Sequence, residues 1–155
     1  MKKRFASLCA AALALALALT GCGGNAVTLT LPFDAADIER VELYHFDGAP
    51  SAAEKKTVTG AADLESLHAL FEGLSLQRKD DGRTAGASVT SFRFRLTDGT
   101  DYELIYTGSG AKDGLLIAAA DDFQARTAAD IGWYWTHLDY QATAADETEL
   151  PVIDP

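Results

Sequence analysis

The sequence predicts an α+β fold, an antiparallel β-sheet meander with one packed amphipathic helix and a C-terminal helix. Three observations predict it. The stretch "SFRFRLTDGTDYELIY", Ser91–Tyr106, is two alternating strands around an Asp-Gly turn. The stretch "GAADLESLHALFEGL", Gly60–Leu74, places Leu64, Leu67, Leu70, Phe71 and Leu74 at spacings of three and four, the period of one helical stripe. Short apolar runs punctuated by glycine, proline and aspartate turns surround both.

Taken in order, Val27–Leu31 alternates apolar residues with threonine and reads as a strand ended by Pro32. A helical turn at Asp34 leads to a strand over Arg40–Phe46, and Gly48-Ala49-Pro50 breaks the chain. Glu54–Thr59 is a second strand feeding the helix, for which Gly60 is a tolerable N-cap, Asp63 places negative charge in the first turn and Gly73 is the stop. "SLQRK" follows as a short strand, and Asp80–Ala87 is a polar, glycine-containing loop.

Register decides the hairpin. A two-residue turn at Asp98-Gly99 would set Phe94 opposite Glu103 and Arg95 opposite Tyr102. A three-residue loop, Thr97-Asp98-Gly99 with Gly99 left-handed, sets Phe94 against Tyr102 and Phe92 against Leu104 on one face. The other face then pairs Arg95 with Asp101 and Arg93 with Glu103. The second pairing satisfies every side chain, so these arginines read as cross-strand ion pairs rather than a ligand clamp. "LLIAAA" is the third strand of the meander and "FQAR" a fourth. Thr127 with Asp130 three places on has the form of a helix N-cap, and the final helix is expected to run to about Tyr140. The tail from Gln141 carries four acids and no base, and is expected to be disordered with Leu150–Ile153 touching the body.

The N-terminus carries a different signal. "MKKRFASLCAAALALALALTGC" opens with Lys2, Lys3 and Arg4 and continues as an apolar run of about a dozen residues, Leu8–Leu19. That length suits a secretion signal and falls short of the roughly 20 residues a membrane span needs. Its last four residues, Leu19-Thr20-Gly21-Cys22, resemble the bacterial lipobox. The resemblance implies a signal peptide over residues 1–21, cleavage before Cys22, a diacylglyceryl group on the Cys22 thiol and an acylated new N-terminus. Two or more chains make a firm anchor where one is marginal. Gly23 stands where some lipoproteins carry the aspartate that retains them at an inner membrane. The implied address is the extracytoplasmic face of the cell membrane.

The domains expected are thus the signal peptide 1–21, a lipidated cysteine and tether 22–26, one α+β domain 27–140 and the tail 141–155. All 23 acidic residues but only ten of the 13 basic ones follow Cys22, a net charge of −13. Such a body is repelled by nucleic acid and by anionic lipid surfaces, and against that repulsion the anchor is expected to hold a domain that stands off the bilayer. With Cys9 cleaved away and Cys22 lipidated, thiol catalysis, disulfides and cysteine metal sites are excluded. The element order over Val27–Tyr140 resembles small extracytoplasmic lipoprotein domains of unknown function, a likeness that implies no activity.

The chemistry-bearing candidates are few. In "DIGWYWTHLDY", Asp130–Tyr140, Ile131, Tyr134, Trp135 and Leu138 form one helical stripe, the expected core face. Trp133, His137 and Tyr140 form a second stripe on nearly the opposite side. An exposed aromatic stripe commonly marks binding, and a buried one is packing beneath a loop or tail. If the domain has a ligand or partner site, Trp133, His137 and Tyr140 are its residues, and an envelope protein or glycan is the partner that suits them. His45, His68 and His137 fall on separate elements without metal-ligand spacing, so no metal is expected and His68 reads as a half-buried structural residue. Asp80-Asp81 and Asp121-Asp122 sit in turns. No nucleophile, phosphate-loop or dinucleotide motif occurs, and no cofactor is implied. The expected function is a non-enzymatic, membrane-anchored binding or interaction module of the cell envelope. The alternatives are an envelope enzyme acting on a solute or polysaccharide, and an acidic accessory subunit of a larger envelope complex.

Overall fold

A computed structural model of the chain describes residues 26–78, 87–109, 113–118 and 123–153. The expected signal segment, Cys22, the Asp80–Gly86 loop and Asp121-Asp122 lie outside them.

Among the described residues nine antiparallel strands form one sheet, and two α-helices accompany it, so the fold is mixed α+β with the sheet dominant. The strands are β1 (Ala26–Thr28), β2 (Ile38–Asp47), β3 (Glu54–Val58), β4 (Ser75–Gln77), β5 (Ser88–Leu96), β6 (Asp101–Gly108), β7 (Gly114–Ala118), β8 (Phe123–Thr127) and β9 (Thr143–Ala144). Their order across the sheet is β1-β4-β8-β7-β6-β5-β2-β3-β9. The meander β5–β8 forms its middle, with β2 laid along the outer edge of β5 over nine paired positions.

The hairpin adopts the three-residue loop. Phe94 pairs with Tyr102, Phe92 with Leu104, Arg93 with Glu103 and Arg95 with Asp101. Gly99 has φ +86°, where a Cβ is strained, and the Asp98 carboxylate accepts hydrogen bonds from the Thr100 backbone and hydroxyl. The loop chemistry and the side-chain pairing choose the same register.

Helix α1 (Ala61–Phe71) buries Leu64, Leu67 and Phe71, and leaves Leu70 and Leu74 partly buried against the same cluster. The Phe71 ring meets Phe92 edge-on at 5.0 Å and Phe94 at 6.0 Å. These aromatics, with Val41, Leu43, Leu104, Leu116, Trp135 and Leu138, make the main core on what we call the inner face. Gly73, φ +79°, turns the chain out of the helix, and its N–H donates to the Leu29 carbonyl at 2.9 Å.

The outer face has a core of its own. Phe46, Ala53, Val89 and Ile105 form a second buried cluster, and Ile117, Ala145, Leu150 and Ile153 pack against it. Here the structure corrects the expectation of a disordered tail. Residues 143–144 pair with β3, the Ala145 N–H donates to the Ala53 carbonyl, and Glu147–Glu149 form a 3-10 turn. The physical reason is the uncovered apolar patch: Phe46, Val89 and Ile105 alternate with the inner-face residues and need their own cover. Acidic composition does not prevent this, because the Glu149 carboxylate pairs with Lys55 at 3.4 Å and its carbonyl accepts from Arg93 at 2.9 Å.

The last helix is also corrected. Helix α2 covers only Trp133–His137, and Thr127, expected as its N-cap, ends β8. Gly132 stands at the start with no side-chain cap, and Leu138 at the end is extended, φ −74° and ψ 119°.

Candidate functional site: an exposed aromatic pair on α2

Five residues do not sustain a helix by themselves. What fixes α2 is a lysine from β3. The Lys56 ammonium, on a residue only 9% exposed, donates to the Trp135 carbonyl at 2.7 Å and to the Leu138 carbonyl at 2.9 Å. A cation there satisfies carbonyls left without helical partners and favours the negative end of the helix dipole. The same ammonium lies 4.9 Å from the centre of the Trp135 ring.

Trp135 points into the body and stacks on His45 of β2 at 4.9 Å and 19°. The His45 Nδ1 is 2.9 Å from the Thr90 hydroxyl. Burial pushes the His45 pKa down, against the opposing pull of Asp47 and Glu54, which favours the neutral ring. Trp135, His45 and Lys56 thus form the floor on which α2 rests.

Trp133 points the other way. It is 44% exposed, the one exposed Phe, Tyr or Trp among the described residues. Its ring stacks on His137, with centroids 4.0 Å apart and planes at 10°, and Tyr134 meets its edge at 5.1 Å. The i, i+4 spacing on one helical turn brings the pair together. The Thr136 hydroxyl donates to the Trp133 carbonyl at 2.9 Å, and His137 Nδ1 lies 2.9 Å from that carbonyl and 2.8 Å from that hydroxyl. A carbonyl only accepts, and the hydroxyl proton is already given to it, so Nδ1 carries the ring proton. In the neutral ring this leaves Nε2 as an acceptor beside an exposed indole.

Tyr140 does not join them. The helix ends before it, so the expected second stripe contains only Trp133 and His137. The Tyr140 hydroxyl instead donates to Asp63 at 2.7 Å and accepts the Gly60 N–H at 3.0 Å. Gly60 has no side chain to cap α1, and its own N–H is satisfied by Tyr140, 80 residues away. The hydrogen bond to the Asp63 carboxylate, with some burial, raises the Tyr140 pKa. A Cβ at Gly60 would sit 2.7 Å from the Tyr140 oxygen, so a larger residue there would have to displace that hydroxyl.

The other histidines are apart from this pair. His68 Nε2 is 2.9 Å from the Phe33 carbonyl, and the ring meets Phe33 edge-on at 5.9 Å. Among the described residues no three His, Cys, Asp or Glu side chains converge in a way that could hold a metal ion.

The outer face carries a charge cluster in which the expected hairpin pairs Arg93–Glu103 and Arg95–Asp101 form, and to which buried Glu42, not expected there, is added. Glu42, 5% exposed, accepts from Arg40 at 3.2 Å, from Arg95 at 3.1 Å and from the Tyr44 hydroxyl at 3.1 Å. Burial alone would raise the Glu42 pKa; hydrogen bonds from Arg95 and Arg40 and the charge of Lys55 outweigh it and hold the carboxyl below its ordinary value. Arg95 also pairs with Asp101, and Arg93 pairs with Glu103 at 2.9 Å while lying 4.8 Å over the Tyr44 ring. The signal for this cluster was strand parity, since Glu42 pairs with Arg93 across β2 and β5 and Tyr44 pairs with Lys55 across β2 and β3. Every cation in it faces an acid, so its role is structural.

A cleft of about 430 Å³ opens beside β4 and β8, lined by Gln77, Asp113, Arg126 and Ala128 among others. Arg126 Nη1 donates to the Asp113 carbonyl at 3.2 Å. Comparison of the chain with protein-family models, curated proteins and solved structures found no match.

Proposed function

We propose that this chain is a lipid-anchored, extracytoplasmic binding module of the bacterial cell envelope, held to the membrane through Cys22 and acting without catalysis. In this reading residues 1–21 are removed as a signal peptide, α1 closes the inner face of the sheet, and the Trp133–His137 stack is the contact surface. The basic residues, apolar run and lipobox-like Leu19–Cys22 support the anchor. The single observation that carries the binding surface is Trp133, left exposed while its ring stacks on His137. A large rigid ring at the surface offers contact area at little entropy cost.

A flat indole beside an acceptor nitrogen suits a sugar ring, whose C–H face stacks on the indole while a hydroxyl donates to His137 Nε2. The favoured ligand is therefore an envelope glycan. Two experiments test the reading. Mass spectrometry of protein purified from membranes should find the chain beginning at a Cys22 that carries diacylglycerol, and Cys22→Ser should leave the membrane fraction. Binding to purified cell-wall glycan fragments should weaken about tenfold in Trp133→Ala, roughly the 1.4 kcal/mol expected of one aromatic contact. Unchanged binding by a Trp133→Ala protein with wild-type melting behaviour would return the stack to plain surface structure.

A further inference from the structure

The first described residue, Ala26, is already in β1, where it pairs with Gln77 of β4, and Gln77 pairs in turn with Arg126 of β8. Neighbouring strands lie about 4.8 Å apart, so the Arg126 backbone is about 10 Å from Ala26. Four residues lead from Cys22 to Ala26, and a trans chain advances at most about 3.6 Å per residue. Whatever path it takes, Ala26 therefore lies within about 14 Å of the Cys22 backbone. Each headgroup layer is about 5–8 Å deep, from a core of about 30 Å in a bilayer of about 40–45 Å. An anchored Cys22 at the edge of the core keeps Ala26 inside that layer or within about 9 Å of it.

Resting on the lipid-anchor reading above, we propose that the β1–β4–β8 edge of the sheet faces the bilayer, with the headgroup layer as its partner. Among the described residues two guanidinium groups stand at this edge: Arg126 in the cleft beside Gln77, and exposed Arg78 just after β4, 5.9 Å from the centre of the Phe123 ring. They are placed to meet lipid phosphates in a chain whose mature charge is −13. The opposite strands of the sheet carry the tail with Asp146, Glu147 and Glu149, all exposed. Turning that side outward moves these acids away from an anionic surface. The orientation also covers β1, the terminal strand of the sheet, whose outer edge is otherwise a template for pairing with another chain.

The test uses the full-length protein, processed in bacteria, purified with its lipid and reconstituted in vesicles of phosphatidylcholine and phosphatidylglycerol. An environment-sensitive fluorophore is attached to single cysteines at exposed positions, Thr28→Cys and Gln77→Cys on the proposed contact edge, Thr97→Cys in the hairpin loop and Thr148→Cys in the tail. Headgroup-labelled quencher lipid should quench the first two several-fold more strongly than the last two. In the Arg78→Gln/Arg126→Gln double variant, the Gln77 label should lose quenching in anionic vesicles while the protein still floats with them. Equal quenching at all four positions, with the protein still floating, overturns this orientation and leaves the anchor standing. Failure to float, with no lipid mass on Cys22, overturns the anchor reading and the orientation with it.

Discussion

The two faces of the sheet are built on different terms. The inner face carries the main core, built of aromatic and aliphatic contacts, Phe71 against Phe92 and Phe94 above all. The outer face combines a small apolar cluster with the ion pairs around Glu42, and its cover is a stretch of tail that pairs with β3 through only two residues. Both faces bury side chains. The inner one does so mainly by the hydrophobic effect, with Lys56 as its buried cation, whereas the outer one needs charge partners in place before burial becomes favourable.

Substitutions can break that contrast, and the inner face should give the largest effect. Phe71→Ala removes a fully buried ring and should cost about 3–5 kcal/mol, read as a lower denaturant midpoint. On the outer face, Glu42→Ala should cost about 2–3 kcal/mol, because Arg40 and Arg95 lose a shared acceptor in a half-buried setting. Its pH signature separates it from a packing loss. The folded Glu42 carboxyl has a lowered pKa, so its stabilisation is present above the ordinary glutamate pKa and fades as pH falls through the folded value. Wild type should therefore lose stability on acidification in that range, and Glu42→Ala should lose less.

Truncation after Gln141 should be milder, about 2 kcal/mol from the partly buried Ala145, Leu150 and Ile153, with new dye binding to the exposed Phe46–Val89–Ile105 patch. An unchanged melting curve and no dye binding would mean that the tail contributes no cover. The smallest effect should come from His45. Its folded pKa is lowered by burial, so the unfolded chain takes up a proton first, and stability should decline as pH drops below about 6.5. His45→Gln should flatten that slope if His45 is its source; Asp47, Glu54 and the neighbouring Lys56 stay in place in both proteins.

The inner face was legible because its signals are local. The α1 stripe lies within 15 residues and the hairpin register within 16, where pattern and turn chemistry agree. The strand alternation also held the outer patch, since Val89 and Ile105 fall on the opposite parity from Phe92 and Leu104. What it did not hold was the identity of the cover. Composition alone made the tail look solvated, and the residues that hold it, Lys55 and Arg93, lie far upstream. The site shows the same division. Trp133 and His137 meet through helical spacing and could be paired from the sequence. Tyr140 was assigned to their stripe because the helix was extended past Leu138, where Lys56, 82 residues away, takes up the terminal carbonyl. Gly132 was the local warning that the helix is weak.

Lys56 has a consequence for the order in which this molecule comes together. Among the described residues its ammonium finds its acceptors at Trp135 and Leu138, and β3 gains its outer neighbour at Thr143–Ala144. A ribosome releases the N-terminal part first, so β3 waits for both kinds of partner until almost the whole chain has been made. Until then its buried cation has no carbonyls to bind and its edge is unpaired. Completion of the fold is tied to the arrival of the C-terminus, and a chain interrupted before residue 135 should remain open and accessible to proteases, however well its central hairpin has formed.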